Sequence, residues 1–127
     1  MTASKIILYH DEVARQAEIK QFIDENFREE LTIKILSKKF TISKSTLERH
    51  FRFCYKESVT RYIQRCRMLR AMDLVTEHSI PISQVGMTVG YNDRSAFTHA
   101  FTKFFGNAPA FFLRNSVENA ELNQLTT

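Results

Sequence analysis

The sequence predicts an all-α fold of about seven helices, arranged as two helix-turn-helix subdomains joined by a long linker helix. Three observations predict it. First, one apolar skeleton occurs twice. Leu36, Phe40 and Ile42 match Val85, Val89 and Tyr91 at an offset of 49, and Leu47, Phe51, Tyr62 and Ile63 match Phe97, Phe101, Phe112 and Leu113 at an offset of 50. The inserted residue falls in the polar stretch Asn92-Asp93-Arg94-Ser95, which suits a turn or a helix start. Second, three Gly and two Pro in 127 residues are too few for the many turns of an all-β chain. Third, a hydrophobic content of 43% supports a packed core rather than disorder. A unit of this size, repeated only twice, is a small helical module and not a short solenoid repeat. Each copy has a short helix, a tight turn and a second helix with a polar outer face.

Residues 11–27 form the first predicted helix, with Val13, Ala17, Phe22, Ile23 and Phe27 as its apolar stripe and Ile19 at the edge. Asp11 and Glu12 sit in its first turn, where the helix dipole favours acids. Thr32 caps the next helix, which runs to Lys39 or Phe40. Phe40-Thr41-Ile42-Ser43 is the turn, and Ser43 caps a helix from Lys44 to about Cys54, with Leu47, Phe51 and Cys54 inward. Ser58 caps a long helix to Glu77, about 29 Å at 1.5 Å per residue. Its inward face is expected to use Val59, Tyr62, Ile63, Cys66, Leu74 and Val75. Pro81 disfavours helix at Ile80, so a new short helix starts at or just before Ser83 and ends near Val89. Gly90 supplies the turn, Asn92 or Asp93 the cap, and the second outward-reading helix runs from Arg94 to about Phe105, with Phe97, Phe101 and Phe104 or Phe105 inward. Gly106 ends it and Pro109 opens a last short helix. The expected domains are therefore 11–57, a linker helix at 58–77, 78–114, and a tail at 115–127.

The net charge of +4 is unevenly spread. Residues 34–70 hold eleven Lys or Arg against Glu48 and Glu57, while the segments on either side are net acidic. Concentrated on a helical reading module, such charge suits a polyphosphate partner. The outward residues of the two second helices are the candidate base readers: Ser45, Glu48 and Arg49, then Arg94, Ser95, Thr98 and His99. Arg reaches guanine edges, short hydroxyls allow close backbone approach, and Glu48 accepts from a cytosine amino group, orients Arg49 or, as the alternative to base contact, takes a partner within the chain. Candidate phosphate contacts are Lys38, Lys39, Ser43, Lys44, Arg52, Arg61, Arg65, Asn92 and Lys103. A linker of about 29 Å suits two reading helices roughly one DNA turn, about 34 Å, apart. The two outward faces differ, so an asymmetric site is expected for a monomer.

Other chemistry finds little support. His10, His50, His78 and His99 make no metal-ligand spacing, and His50, next to Phe51, is expected to be a satisfied side chain. Cys54 and Cys66 make neither a disulfide framework nor a zinc knuckle, and for Cys66 a packing role is favoured over the competing one of a redox sensor. No nucleophile constellation or phosphate loop is present, so neither an enzyme nor a cofactor is expected. No apolar run approaches the roughly 20 residues of a membrane span, and the N-terminus lacks a secretory h-region, so a cytoplasmic, nucleoid-associated location is expected. The competing reading is a helical adaptor presenting a basic face to an acidic protein.

The second unit is the more specific. Ile82-Ser83-Gln84-Val85-Gly86 leads to Val89-Gly90-Tyr91-Asn92-Asp93, followed by Ser95, Phe97, Phe101, Lys103, Gly106, Pro109 and Phe112. This strongly resembles the signature of the AraC family of bacterial transcription regulators. Ser43, Leu47, Arg49, Phe51, Arg52, Tyr62-Ile63, Arg67-Met68 and Ala71 resemble that family's first helix-turn-helix. The resemblance covers about residues 15–114. It implies two subdomains on a linker helix, double-stranded promoter DNA as partner, and most often activation by recruiting RNA polymerase. It also implies a stand-alone member or an isolated DNA-binding domain. Four positions depart from the family pattern. Lys56 stands in place of a usual Gly, Thr41 lies at a turn where a β-branched residue disfavours positive φ, Leu113 replaces an Arg, and Ala108 replaces a small hydroxyl residue.

Overall fold

The computed structural model describes residues 9–78 and 80–113. Six helices are delimited: α1 (His10–Asn26), α2 (Ile33–Lys39), α3 (Lys44–Tyr55), α4 (Val59–Glu77), α5 (Ile82–Thr88) and α6 (Arg94–Phe105). A seventh, α7, is helical over 109–113. The fold is all-α, and no strand occurs among the described residues. The expected tail, 115–127, lies outside them.

The described residues divide into two compact units, with the boundary between Cys66 and Arg67, inside α4. The first half of α4 contributes Val59 and Ile63 to a core with Ile19, Ile23, Leu36, Ile42, Leu47 and Phe51. Its second half contributes Met68, Ala71, Leu74 and Val75 to a core with Val85, Val89, Phe97 and Phe101. Met68 and Ala71 were absent from the expected inward face, which assumed a single stripe along the helix. Tyr62 and Cys66 are only partly buried.

The repeat recurs in matching backbone hydrogen bonds and ring contacts. Ile42 N–H donates to Ser37 O at 3.0 Å, and Tyr91 N–H to Gly86 O at 2.9 Å. Lys56 N–H reaches Arg52 O at 2.8 Å, and Gly106 N–H reaches Thr102 O at 2.7 Å. Phe51 meets Tyr55 and Tyr62 at ring-centroid distances of 4.8 and 5.7 Å; Phe101 meets Phe105 and Phe112 at 4.7 and 5.8 Å.

Helix starts follow the expected chemistry. Thr32 Oγ1 accepts from Ile35 N–H, Ser43 Oγ from Thr46 N–H, and Ser58 Oγ from Arg61 N–H, each at 3.1 Å. Of the two candidates before α6, Asp93 is the cap, its Oδ1 accepting from Ser95 N–H at 3.0 Å. The stripe of α1 differs from expectation. Val13 and Ala17 are exposed, and the buried residues are Gln16, Ile19 and Ile23. A buried polar residue at 16 hid the true register, since an apolar count skips it. Neither Gln16 amide atom has a hydrogen-bond partner among the described residues.

Two equivalent backbone positions carry positive φ in both units, with different residues. Gly90 (φ 112°) and Gly106 (φ 87°) match Thr41 (φ 51°) and Lys56 (φ 63°). Left-handed backbone costs an L-residue roughly 1–2 kcal/mol, and Thr41, β-branched, bears it in the turn between α2 and α3. That turn is clamped from α1: the Arg15 guanidinium donates to Phe40 O and, at 2.9 Å, to Thr41 O. Ser37 Oγ also donates to Ile42 O. In the second unit the position matching Ser37 is Gly86. A Cβ there would lie 2.8 Å from Phe97 Cγ and 2.9 Å from Phe97 Cβ, so α5 sits directly on the root of α6's main core side chain.

Two stability outcomes follow. Thr41→Gly is expected to raise stability by about 1 kcal/mol, the left-handed relief less glycine's greater freedom in the unfolded chain. A denaturant midpoint that falls instead contradicts the strain. Gly86→Ala is expected to cost about 1–3 kcal/mol by overpacking, and an unchanged midpoint excludes the close α5–α6 approach.

Candidate nucleic-acid interface

Each second helix is oriented by what it buries. Leu47 and Phe51 are fully buried, which turns Ser45, Arg49 and Arg52 to solvent on the opposite side of α3. Phe97 and Phe101 do the same for α6, leaving Arg94, Ser95, Thr98, His99 and Thr102 exposed. Those five side chains line one open hollow on α6. Among the described residues neither Arg49 nor Arg94 is tied by an ion pair or a hydrogen bond to another side chain, so both guanidiniums project freely.

The candidate phosphate contacts lie around these faces. Lys38 and Lys39 occupy the last turn of α2, where the helix dipole favours cations. Both are exposed, and Lys39 Nζ also sits 4.7 Å over the Phe22 ring. Lys44 opens α3 and Lys103 lies in the last turn of α6, both exposed. Arg61 and Asn92 are exposed on α4 and in the turn before α6. Three of the group are already engaged. The Ser43 hydroxyl caps α3 and donates to Thr46 Oγ1 at 2.7 Å. Arg65 pairs with Glu57, and Arg52 Nη2 lies 3.8 Å from Glu48 Oε2.

Glu48 is the one member of the sixteen that is not exposed. Its Oε1 accepts from the backbone N–H of Val59, 3.1 Å away at the start of α4. Residue spacing points to the outward face of α3 but does not show a partner eleven positions on. Arg15 was also missed, because no local pattern links position 15 to the turn that it holds. His50, expected to be a satisfied side chain, has Nδ1 at 3.7 Å from Glu12 Oε2 with no hydrogen bond among the described residues. No cluster of three or more His, Cys, Asp or Glu able to hold a metal ion occurs there either. Nor is any described helix long and apolar enough to cross a membrane.

A family model described as "Helix-turn-helix domain" matches residues 36–115. The regulatory protein SoxS of Salmonella typhimurium is 30% identical over 90 residues, which is 71% of this chain and 84% of that protein. Other curated relatives are longer, and the chain spans only 35–36% of the length of the Msm operon regulatory protein of Streptococcus mutans and of GadX of Escherichia coli. A solved probable AraC family transcriptional regulator from Rhodopseudomonas palustris shares the fold at TM-score 0.69 and 19% identity, over 81% of this chain and 97% of that one. The DNA-binding domain of AdpA, solved in complex with a target DNA, shares it at TM-score 0.74 and 21% identity, over 80% and 91%.

Cys66 bears on a competing, redox reading. Its Sγ contacts Asp24 at 3.8 Å, and Tyr62 also donates to Asp24. Burial first, and the Asp24 carboxylate after it, push the thiol above its ordinary range, against a partly offsetting hydrogen bond from Tyr62 and the nearby Lys20. The thiolate is the reactive form, so Cys66 is expected to alkylate more slowly at about pH 8 than a free peptide thiol, with its rate rising only at more alkaline pH. Labelling as fast as the free thiol would restore a redox role.

Proposed function

Because the chain belongs to the AraC family of helix-turn-helix transcription regulators, we propose that it binds double-stranded promoter DNA sequence-specifically, inserting α3 and α6 into successive major-groove segments. The observation that carries the reading is the twice-built face. In each unit a fully buried aromatic turns a row of Arg, Ser, Thr or His side chains to solvent on a helix that follows a tight turn. These side chains match the donor and acceptor pattern of base edges in the major groove. The complex of the AdpA DNA-binding domain with its target supports the same use of this fold.

Arg49 and Arg94 anchor the two reads, with Ser45 on α3 and Ser95, Thr98 and His99 on α6 completing them. Lys38, Lys39, Lys44, Arg52, Arg61, Arg65, Lys103, Ser43 and Asn92 hold phosphates. The faces are unlike, so one monomer suffices and its site is asymmetric. Activation through RNA polymerase, in the cytoplasm and at the nucleoid, is the regulatory outcome that we propose.

Selection of bound duplexes from a random pool is expected to yield a motif of two unlike clusters about 10 bp apart. Arg49→Ala or Arg94→Ala should cost about 1–3 kcal/mol on that site and relax preference within one cluster each. Affinity should fall with salt at a log–log slope of about −5 to −8 if that many phosphates are neutralised. No enrichment, with a flat salt response, would move the acidic-protein adaptor to the front.

A further inference from the structure

Glu48 is set apart by three independent observations. It is half-buried where the other fifteen candidate residues are exposed. Both carboxylate oxygens are engaged within the chain, Oε1 by Val59 N–H at 3.1 Å and Oε2 by Arg52 at 3.8 Å. The third observation comes from the repeat. At the offset of 50, Glu48 matches Thr98 and Val59 matches Pro109. Val59 is the first residue of α4, and Pro109 is the first helical residue of α7.

The first N–H groups of a helix have no partner within it. At the start of α4, Ser58 Oγ takes Arg61 N–H and Ser58 O takes Tyr62 N–H, at 3.1 and 3.0 Å. The N–H groups of Val59 and Thr60 remain; Thr60 is exposed, whereas Val59 is at a buried position, and Glu48 takes its N–H. At the equivalent place in the second unit, proline removes the donor altogether. No carboxylate is needed there, and Thr98 stands free on the exposed face of α6. The two units thus solve one problem in two ways: a donor with a tethered acceptor, or neither. An anionic acceptor at a helix N-terminus is further favoured by the helix dipole.

We infer that Glu48 is a positioning residue, which ties the reading helix α3 to the start of α4 and is withdrawn from base readout. Its counterpart, Thr98, is the position left open to a base. This rests on the proposed DNA reading but deepens it: the first read is carried by Ser45 and Arg49, with Arg52 kept for a phosphate, and its specificity has no acidic component. A carboxylate held in this way also lies 3.8 Å from Arg52 Nη2 on the exposed side of α3.

The test combines a mutant cycle with a binding profile. E48T, V59P and the double variant are compared by denaturant unfolding. E48T alone is expected to lower the folding constant about tenfold, the value of a charge-assisted bond whose buried donor is left unpaired. In the V59P background the same substitution should change it less than about twofold, because the donor is gone. Equal losses in both backgrounds overturn the tether. Should V59P fail to fold, amide exchange at Val59 decides the point. Exchange faster by about tenfold in E48A and restored in E48Q supports the tether, while protection unchanged in E48A overturns it. Duplex selection with E48A then separates positioning from reading. Weaker binding with the wild-type base preferences retained supports positioning. Loss of preference at a single base pair makes Glu48 a reader and overturns the inference. If the wild-type protein itself enriches no sequence, the DNA reading fails while the mutant cycle still judges the tether.

Discussion

Everything outward in each unit depends on one aromatic side chain that points inward. Phe51 and Phe101 are completely buried, and each is gripped by a ring one turn along the same helix and a ring on the helix that follows, Phe101 by Phe97 besides. A side chain of that size, enclosed on all sides, cannot rotate out of the core without exposing well over 100 Å² of apolar surface. The azimuth of α3 and α6 about their own axes is thereby set, and with it which residues meet solvent. The polar faces are therefore a consequence of core packing. A flexible tether would present the same residues without fixing their direction.

The approach of each reading helix to its predecessor is a separate constraint, and the units meet it unequally. The second unit uses glycine at both left-handed positions and at residue 86, where only a missing side chain lets α5 lie against Phe97. The first unit keeps Thr41, Lys56 and Ser37 at those places. It compensates with polar clamps: Arg15 on the turn carbonyls, the Ser37 hydroxyl on Ile42, and the Lys56 ammonium on Phe53 O at 3.1 Å. One backbone shape is thus reached by removing atoms in one unit and by adding hydrogen bonds in the other. The first solution is local in sequence. The second recruits a side chain 26 residues away.

That difference decides what could be read beforehand. Helix ends, caps and the inward residues of α3 and α6 were legible because their determinants lie within one or two turns of each other: Ser43 before Leu47, Asp93 before Phe97, Gly106 after Phe105. The exposed character of the reading faces follows from the same periodicity. Two elements misled. In α1 the buried register runs through Gln16, so an apolar count chose Val13 and Ala17, which face solvent. In α4 the buried residues of the first half, Val59 and Ile63, do not share a stripe with Met68, Ala71 and Val75, because the helix serves two cores in turn. A search for one face along such a helix averages two patterns into none. An intramolecular partner for Glu48 was open from the sequence, but not which one: it is a backbone N–H on the next helix, and backbone groups carry no sequence signal except where proline deletes them.

Charge divides the work between the units along the same repeat. Where the first unit has Lys38, Lys39, Arg49 and Arg52, the equivalent positions of the second are Met87, Thr88, His99 and Thr102. Cations on a helical face contribute through counterion release, which is strong, long in range and blind to base identity. Hydroxyls and imidazole contribute hydrogen bonds that act only at contact and only with the matching edge. Under the proposed reading the first unit therefore carries most of the salt-sensitive affinity, while the second, whose cations are Arg94 and Lys103, contributes less of it and more of the discrimination. The two are complementary because they share one chain: electrostatic attachment by the first raises the local concentration of cognate edges presented to the second. The acid on α3 is consistent with this division, since a carboxylate committed to Val59 and facing Arg52 neither repels a phosphate as a free anion would nor competes with Arg49 for a base.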